Sequence, residues 1–118
     1  MTQITIQNYH DCYDLGKKVA EGKMSIGMAM IKMEETGMNK RSAGDYLRCV
    51  RAMLLGEKYT STVKKIATSY FLTEIYSEYG QEGLRKALKA VELHLEYQKG
   101  YNNQAAIKEV YNDFMEIL

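Results

Sequence analysis

The 118 residues amount to about one domain, enough for a hydrophobic core and short of the size at which a second core is expected. With 46% hydrophobic and 26% charged residues the composition excludes disordered and fibrous chains, while a net charge of +1 is silent about partners. No signal-peptide pattern opens the sequence and no apolar run of about 18 residues occurs, so secretion and membrane spanning are not expected.

Apolar residues at helical spacing define six segments in chain order, most of them bounded by a capping residue and a glycine. The first covers about 5–21, with Tyr9, Cys12, Tyr13 and Gly16 or Val19 and Ala20 on one face, and stops at Gly22. The second opens at Ser25, carries Ile26, Ala29, Met30 and Met33, and stops at Gly37. The third follows Asn39, carries Ala43, Tyr46, Leu47, Val50 and Leu54, and stops at Gly56. A polar link over 57–61 leads to Thr62 as the expected cap of the fourth, whose stripe is Val63, Ile66, Ala67, Tyr70, Phe71, Ile75 and Tyr79 before Gly80.

The fifth carries Leu84, Ala87, Leu88, Val91 and Leu95 before Gly100. The sixth, opened by Asn102 or Asn103, carries Ile107, Val110, Tyr111, Phe114 and Leu118 to the last residue. No window alternates with period two, and no repeat or linker interrupts the pattern. The expected fold is all-α: a single domain over 1–118, a compact bundle of about five or six short helices, with a helix-turn-helix-like hairpin. Connections built on Gly and Asn explain the complete lack of proline. Tyr46, Tyr70 and Tyr111 are core candidates by spacing, whereas Tyr59, Tyr97 and Tyr101 are expected at the surface.

Materials for catalysis are thin. The two histidines, His10 and His94, belong to no HxH or HExxH motif, and Cys12 and Cys49 are not in CxxC spacing. The cysteines fit the reduced, partly buried thiols of a cytoplasmic protein. His10 with Asp11 and Asp14 reads as a solvated helix face, as does His94 between Glu92 and Glu96. The glycines form no phosphate-cradling loop, and Ser25, Ser42 and Ser61 sit where helix caps are expected. The chain is therefore expected to be no enzyme and to need no metal or cofactor.

The strongest constellation joins the second and third segments through Gly37, Met38 and Asn39. Two short helices across a glycine-containing turn form the helix-turn-helix pattern, whose second helix offers its N-terminal residues to the DNA major groove. Lys40, Arg41, Ser42, Asp45 and Arg48 are the expected groove-facing edge, and Lys58, Lys64 and Lys65 the expected phosphate contacts. Between residues 38 and 65 seven basic residues (Lys40, Arg41, Arg48, Arg51, Lys58, Lys64, Lys65) face two acidic ones (Asp45, Glu57), a local net of +5 in a chain of +1. Phosphate binding depends on such local charge. The plainer alternative is a solvated helix in which Arg41 and Asp45 form an i,i+4 ion pair.

Gly37-Met38-Asn39, Ser42-Ala43 with Asp45-Tyr46-Leu47, 56–60 (Gly-Glu-Lys-Tyr-Thr), Tyr70-Phe71-Leu72, Ile75-Tyr76, Tyr79-Gly80, Gly83-Leu84, Ala87-Leu88 and His94-Leu95-Glu96-Tyr97 follow one another in an order that resembles a helical domain found at the front of some bacterial HNH and restriction-type endonucleases. The resemblance spans roughly residues 25–98 and implies a target-binding or regulatory part whose cleavage is done by a separate module. No HNH motif occurs here, which leaves a fragment of such a nuclease or a stand-alone copy. DNA is thus the expected partner. The alternative is a phage-encoded protein, of anti-CRISPR or anti-restriction type, that binds a bacterial defence nuclease. Six of the eight methionines (Met24, Met28, Met30, Met33, Met38, Met53) cluster around the hairpin, as core filling or as an adaptable protein-binding surface. The sixth segment's stripe, with Met115 and Ile117 beside it, is expected either to close the domain's own core or to serve as a homodimer surface.

Overall fold

Thr5 starts the first helix with a reciprocal cap. Its hydroxyl accepts from the Asn8 amide at 3.2 Å while Asn8 Oδ1 accepts from the Thr5 amide at 2.9 Å. The computed structural model describes residues 4–99 and 104–118. Five helices fill them: α1 (Ile6–Ala20), α2 (Ile26–Glu35), α3 (Lys40–Leu55), α4 (Lys65–Tyr97) and α5 (Gln104–Met115), with no strand among the described residues. The protein is all-α, as the hydrophobic periodicity requires. Among the described residues no helix is long and apolar enough to cross a membrane.

The caps read from the sequence hold at α2 and α3. Ser25 Oγ accepts from the Met28 amide at 3.1 Å, and Asn39 Oδ1 accepts from the amides of Arg41 and Ser42 at 2.9 and 3.2 Å. Ser42 therefore lies inside the first turn of α3 rather than at its cap, and Ser61 lies in the link. Thr62 does not cap α4 either. Val63 must first turn its side chain into the core, where it is buried, so the backbone stays extended through Lys64 and the helix begins at Lys65.

Gly80 corrects the expected separation of the fourth and fifth segments. It has the left-handed φ of 71° expected of a helix stop, with ψ at −157°, yet the helix resumes at once. A straight helix of 33 residues would be about 50 Å long. The longest dimension of the molecule is 37 Å, so the break at Gly80 folds α4 into two arms. Phe71 on the first arm meets Tyr46 edge-on, with ring centroids 6.2 Å apart. On the second arm Lys86 lies against Gly56 and His94 stacks on Tyr59. The expected openers Asn102 and Asn103, the stop Gly100 and Tyr101 lie outside the described residues. The last helix ends at Met115, short of the C-terminus where the stripe was expected to run, and a turn bonds the Ile117 amide to Phe114 O and the Leu118 amide to Met115 O.

α3 is the central helix, packed by α1, α2 and α4. Its buried residues Ala43, Gly44, Tyr46, Leu47, Cys49, Val50, Ala52 and Met53 occupy most of its circumference. Gly16 lets α1 come this close, because a Cβ there would lie 2.5 Å from Val50 Cγ1. Tyr9, Tyr46, Tyr70 and Phe71 gather where α1, α3 and α4 meet, with tilted or edge-on rings 5.8 to 6.3 Å apart. Tyr70 and Tyr111 are half-buried, and Tyr59, expected at the surface, is buried.

Candidate nucleic-acid interface and a second cationic cleft

Because three neighbouring helices cover α3, the solvent sees only a narrow stripe of it. That stripe carries the exposed residues Lys40, Arg41 and Arg48, with half-buried Arg51 alongside and half-buried Asp45 at its edge. At about 100° per residue, Arg41 and Arg48 project within about 20° of each other. The turn before them contains Gly37, whose φ of 96° is open to glycine, and Asn39, whose side chain occupies the first amides of α3. Close packing of α2 on α3 at Gly44, where a Cβ would meet Met30 Cε at 2.9 Å, sets the hairpin.

The ion pairs on the stripe differ from the i,i+4 pairing considered for Arg41. Asp45 faces Arg48 at 3.7 Å, and Arg51 meets Glu57 at 3.1 Å. Lys40 and Arg41 enter no ion pair among the described residues. All these pairs are solvent-exposed and so compete weakly with a phosphate. Ser42 is half-buried behind the cap. Arg51 extends the set read from the sequence, and its place at i+3 from Arg48 and i+10 from Arg41 is the signal that finds it.

Lys58, Lys64 and Lys65 form a separate region. After Gly56 the link folds back along α3, so that Tyr59 packs beside Cys49 and on His94. Cys49 points between about a quarter and a half turn around α3 from the exposed stripe. Lys58 Nζ sits 4.9 Å from the ring centre of Tyr97, and Lys65 Nζ lies 3.1 Å from Glu109 Oε1. Lys64 and Lys65 line a cleft of about 470 Å³ between the link, the end of α4 and α5.

His94 corrects the expectation of an outward, solvated histidine. It is 2% exposed, its ring stacks on Tyr59 at 4.1 Å, and its Nδ1 lies 2.8 Å from the Tyr59 carbonyl oxygen. Burial pulls its pKa below the ordinary 6.5, against the opposing effect of that carbonyl. The ring is neutral near pH 7 and donates Nδ1–H to the carbonyl.

Chemistry elsewhere is sparse. His10 is exposed and 3.3 Å from Asp14, and no group of three or more His, Cys, Asp or Glu side chains among the described residues could hold a metal. Cys12 and Cys49 are buried and their thiols are pushed up to about 12, by burial in both cases. Burial pulls Glu78 upward, but hydrogen bonds from Tyr13 and Lys17 outweigh it and hold the carboxyl below its ordinary value. The pair braces α1 against α4. A mostly apolar cleft of about 500 Å³ lies near the Gly80 bend, lined by Leu54, Leu55, Ile75 and Tyr79 with a charged rim. Comparison with known proteins returns no matching family, no matching curated protein and no matching solved structure.

Proposed function

We propose that the chain is a non-catalytic DNA-binding helical module of the kind that precedes the cleavage module in some HNH and restriction-type nucleases, with the exposed stripe of α3 as its interface. The observation that carries this reading is the placement of Lys40, Arg41, Arg48 and Arg51 on the one solvent-facing strip of an otherwise enclosed helix that follows a glycine turn. In this reading Arg41 and Arg48 contact base edges, Lys40 and Ser42 contact phosphates, and Asp45 orients Arg48. Lys58, Lys64 and Lys65 supply cations on a neighbouring side, for a duplex that curves around the domain or for a second strand.

The test is binding of fluorescent duplex and single strands across a salt series. Four phosphate-neutralising cations imply a slope of about −3 to −4 in log K against log salt. Arg41→Ala should weaken binding by about 1–3 kcal/mol and blunt sequence preference, whereas Lys64→Ala should reduce the slope by about one and leave preference intact. Absence of binding to either form at low salt overturns the reading.

A second reading has its own support. Met28 and Ile31, one helical turn apart on the outer face of α2, are 49% and 44% exposed, an apolar surface that phosphate binding does not explain. It suits a protein contact, as in a phage-encoded inhibitor of a bacterial defence nuclease. Met28→Glu would abolish such a complex and leave DNA binding unaltered.

A further inference from the structure

Where α4 bends, the ends of α1 and α3 meet it around the cleft of about 500 Å³. Two small residues, Ala20 and Gly83, leave room there. A Cβ on Gly83 would collide with Tyr79 Cβ, so glycine is needed for Tyr79 to lie against the second arm. Leu54, Leu55, Ile75 and Tyr79 form the walls, and of these Leu55 is 36% and Tyr79 45% exposed. Concave apolar surface of this volume, open to water, is where a small molecule gains burial.

The rim sets the charge of what can enter. Its two carboxylates are already matched, Glu21 by Lys23 at 3.6 Å and Glu82 by Arg85 at 2.9 Å, and Lys17 is held by Glu78 at 3.1 Å. Lys86 is left over. It is exposed, lines the cleft and enters no ion pair among the described residues, while its Cβ and Cγ lie against Gly56 beside the Leu54 and Leu55 wall. Counting the rim groups with their partners, four cations (Lys17, Lys23, Arg85, Lys86) stand against three carboxylates (Glu21, Glu78, Glu82), a net of +1 that falls on Lys86. An apolar cleft with one uncompensated cation matches a ligand with an apolar body and one negative end.

We propose that this cleft binds a short aliphatic carboxylic acid in its ionised form, the chain against Leu54, Leu55, Ile75 and Tyr79 and the carboxylate at Lys86. Leu55 lies about 20 Å along the α3 axis from Arg41, so the two sites are separate. The inference does not depend on DNA binding by α3.

Amide NMR spectra of the intact chain, titrated with octanoate, test it. Saturable shifts are expected at Ala20, Leu54, Leu55, Tyr79 and Gly83, and none along the α3 stripe. Hexanoate should bind about five- to fifteen-fold more weakly, through the loss of two buried methylenes. Lys86→Gln should weaken octanoate binding about two- to five-fold, and Lys86→Glu should invert the preference between octanoate and octylammonium. Leu55→Glu, at a position already open to water, should abolish binding, and the same spectra report whether each variant is folded. Arg41→Ala, which disables the α3 interface, should change nothing. Shifts that fail to saturate at those amides, tighter binding of octylammonium or 1-octanol than of octanoate, or indifference to Lys86→Glu overturn the proposal. Shifts at the same amides that grow with protein concentration in the absence of ligand also overturn it, by assigning the cleft to a second copy of the chain.

Discussion

His94 and Tyr59 are joined twice: the ring nitrogen meets the carbonyl at 2.8 Å, and the two rings lie parallel within 6° at 4.1 Å. A link without helical hydrogen bonds is thereby fastened to the second arm of α4. Protonating the ring places a charge in the interior, so the folded protein binds that proton less readily than the unfolded chain. Stability should be full above the ordinary pKa of 6.5 and fall as pH drops through it toward the lowered folded value. Urea midpoints measured from pH 8 to 5.5 check this, and His94→Gln should flatten the dependence while costing about 2–4 kcal/mol at pH 8.

Gly16 against Val50 makes a size test. Gly16→Ala puts a methyl within 2.5 Å of Val50 Cγ1 and should destabilise by about 1–3 kcal/mol, despite alanine's better helix propensity. Adding Val50→Ala should recover part of that loss. Urea denaturation of the two single variants and the double variant measures the coupling, and simple additivity would remove the contact from the explanation.

At Gly80 space is not the constraint, since nothing lies within 4 Å of an added Cβ. The backbone is, because φ of 71° with ψ of −157° is nearly closed to any residue with a side chain. Gly80→Ala should therefore cost about 1–3 kcal/mol in thermal or urea unfolding, and more than Gly27→Ala on α2, where an added Cβ is equally unobstructed and φ is not positive.

Phe114 and Leu118 are half-buried and lean on the core, while Met115 and Ile117 are 43% and 41% exposed. α5 thus spends its apolar stripe on α4. Light scattering at about 50 µM should give the monomer mass, and Phe114→Asp should lower the unfolding midpoint without changing that mass. A dimer that Ile117→Asp returns to monomer would show that the exposed pair is an interface.

Local signals were the readable part of the fold. Gly22, Gly37, Gly56 and Gly80 all take positive φ where helix stops were expected, and Thr5, Ser25 and Asn39 all cap. Contacts far apart in sequence were not readable. Glu92 and Glu96 make His94 look solvated, yet it continues the Leu84, Ala87, Val91 stripe at helical spacing, and its partner Tyr59 lies 35 residues away in a stretch that reads as polar. The candidate contact residues were found by charge and position, but only the fold-back of the link at Tyr59 separates Lys58, Lys64 and Lys65 from the α3 stripe.

Enclosure of α3 divides its residues into those that must stay and those at liberty to change. Ala43, Tyr46, Leu47, Val50 and Met53 answer to three neighbouring helices, whereas Lys40 and Arg41 face solvent and Arg48 has only half-buried Asp45 as an ion-pair partner among the described residues. Diversification of those few positions would cost little in foldedness. A lineage could thus rewrite a handful of codons on this stripe without losing the fold, and a randomised library at the same positions would remain largely folded.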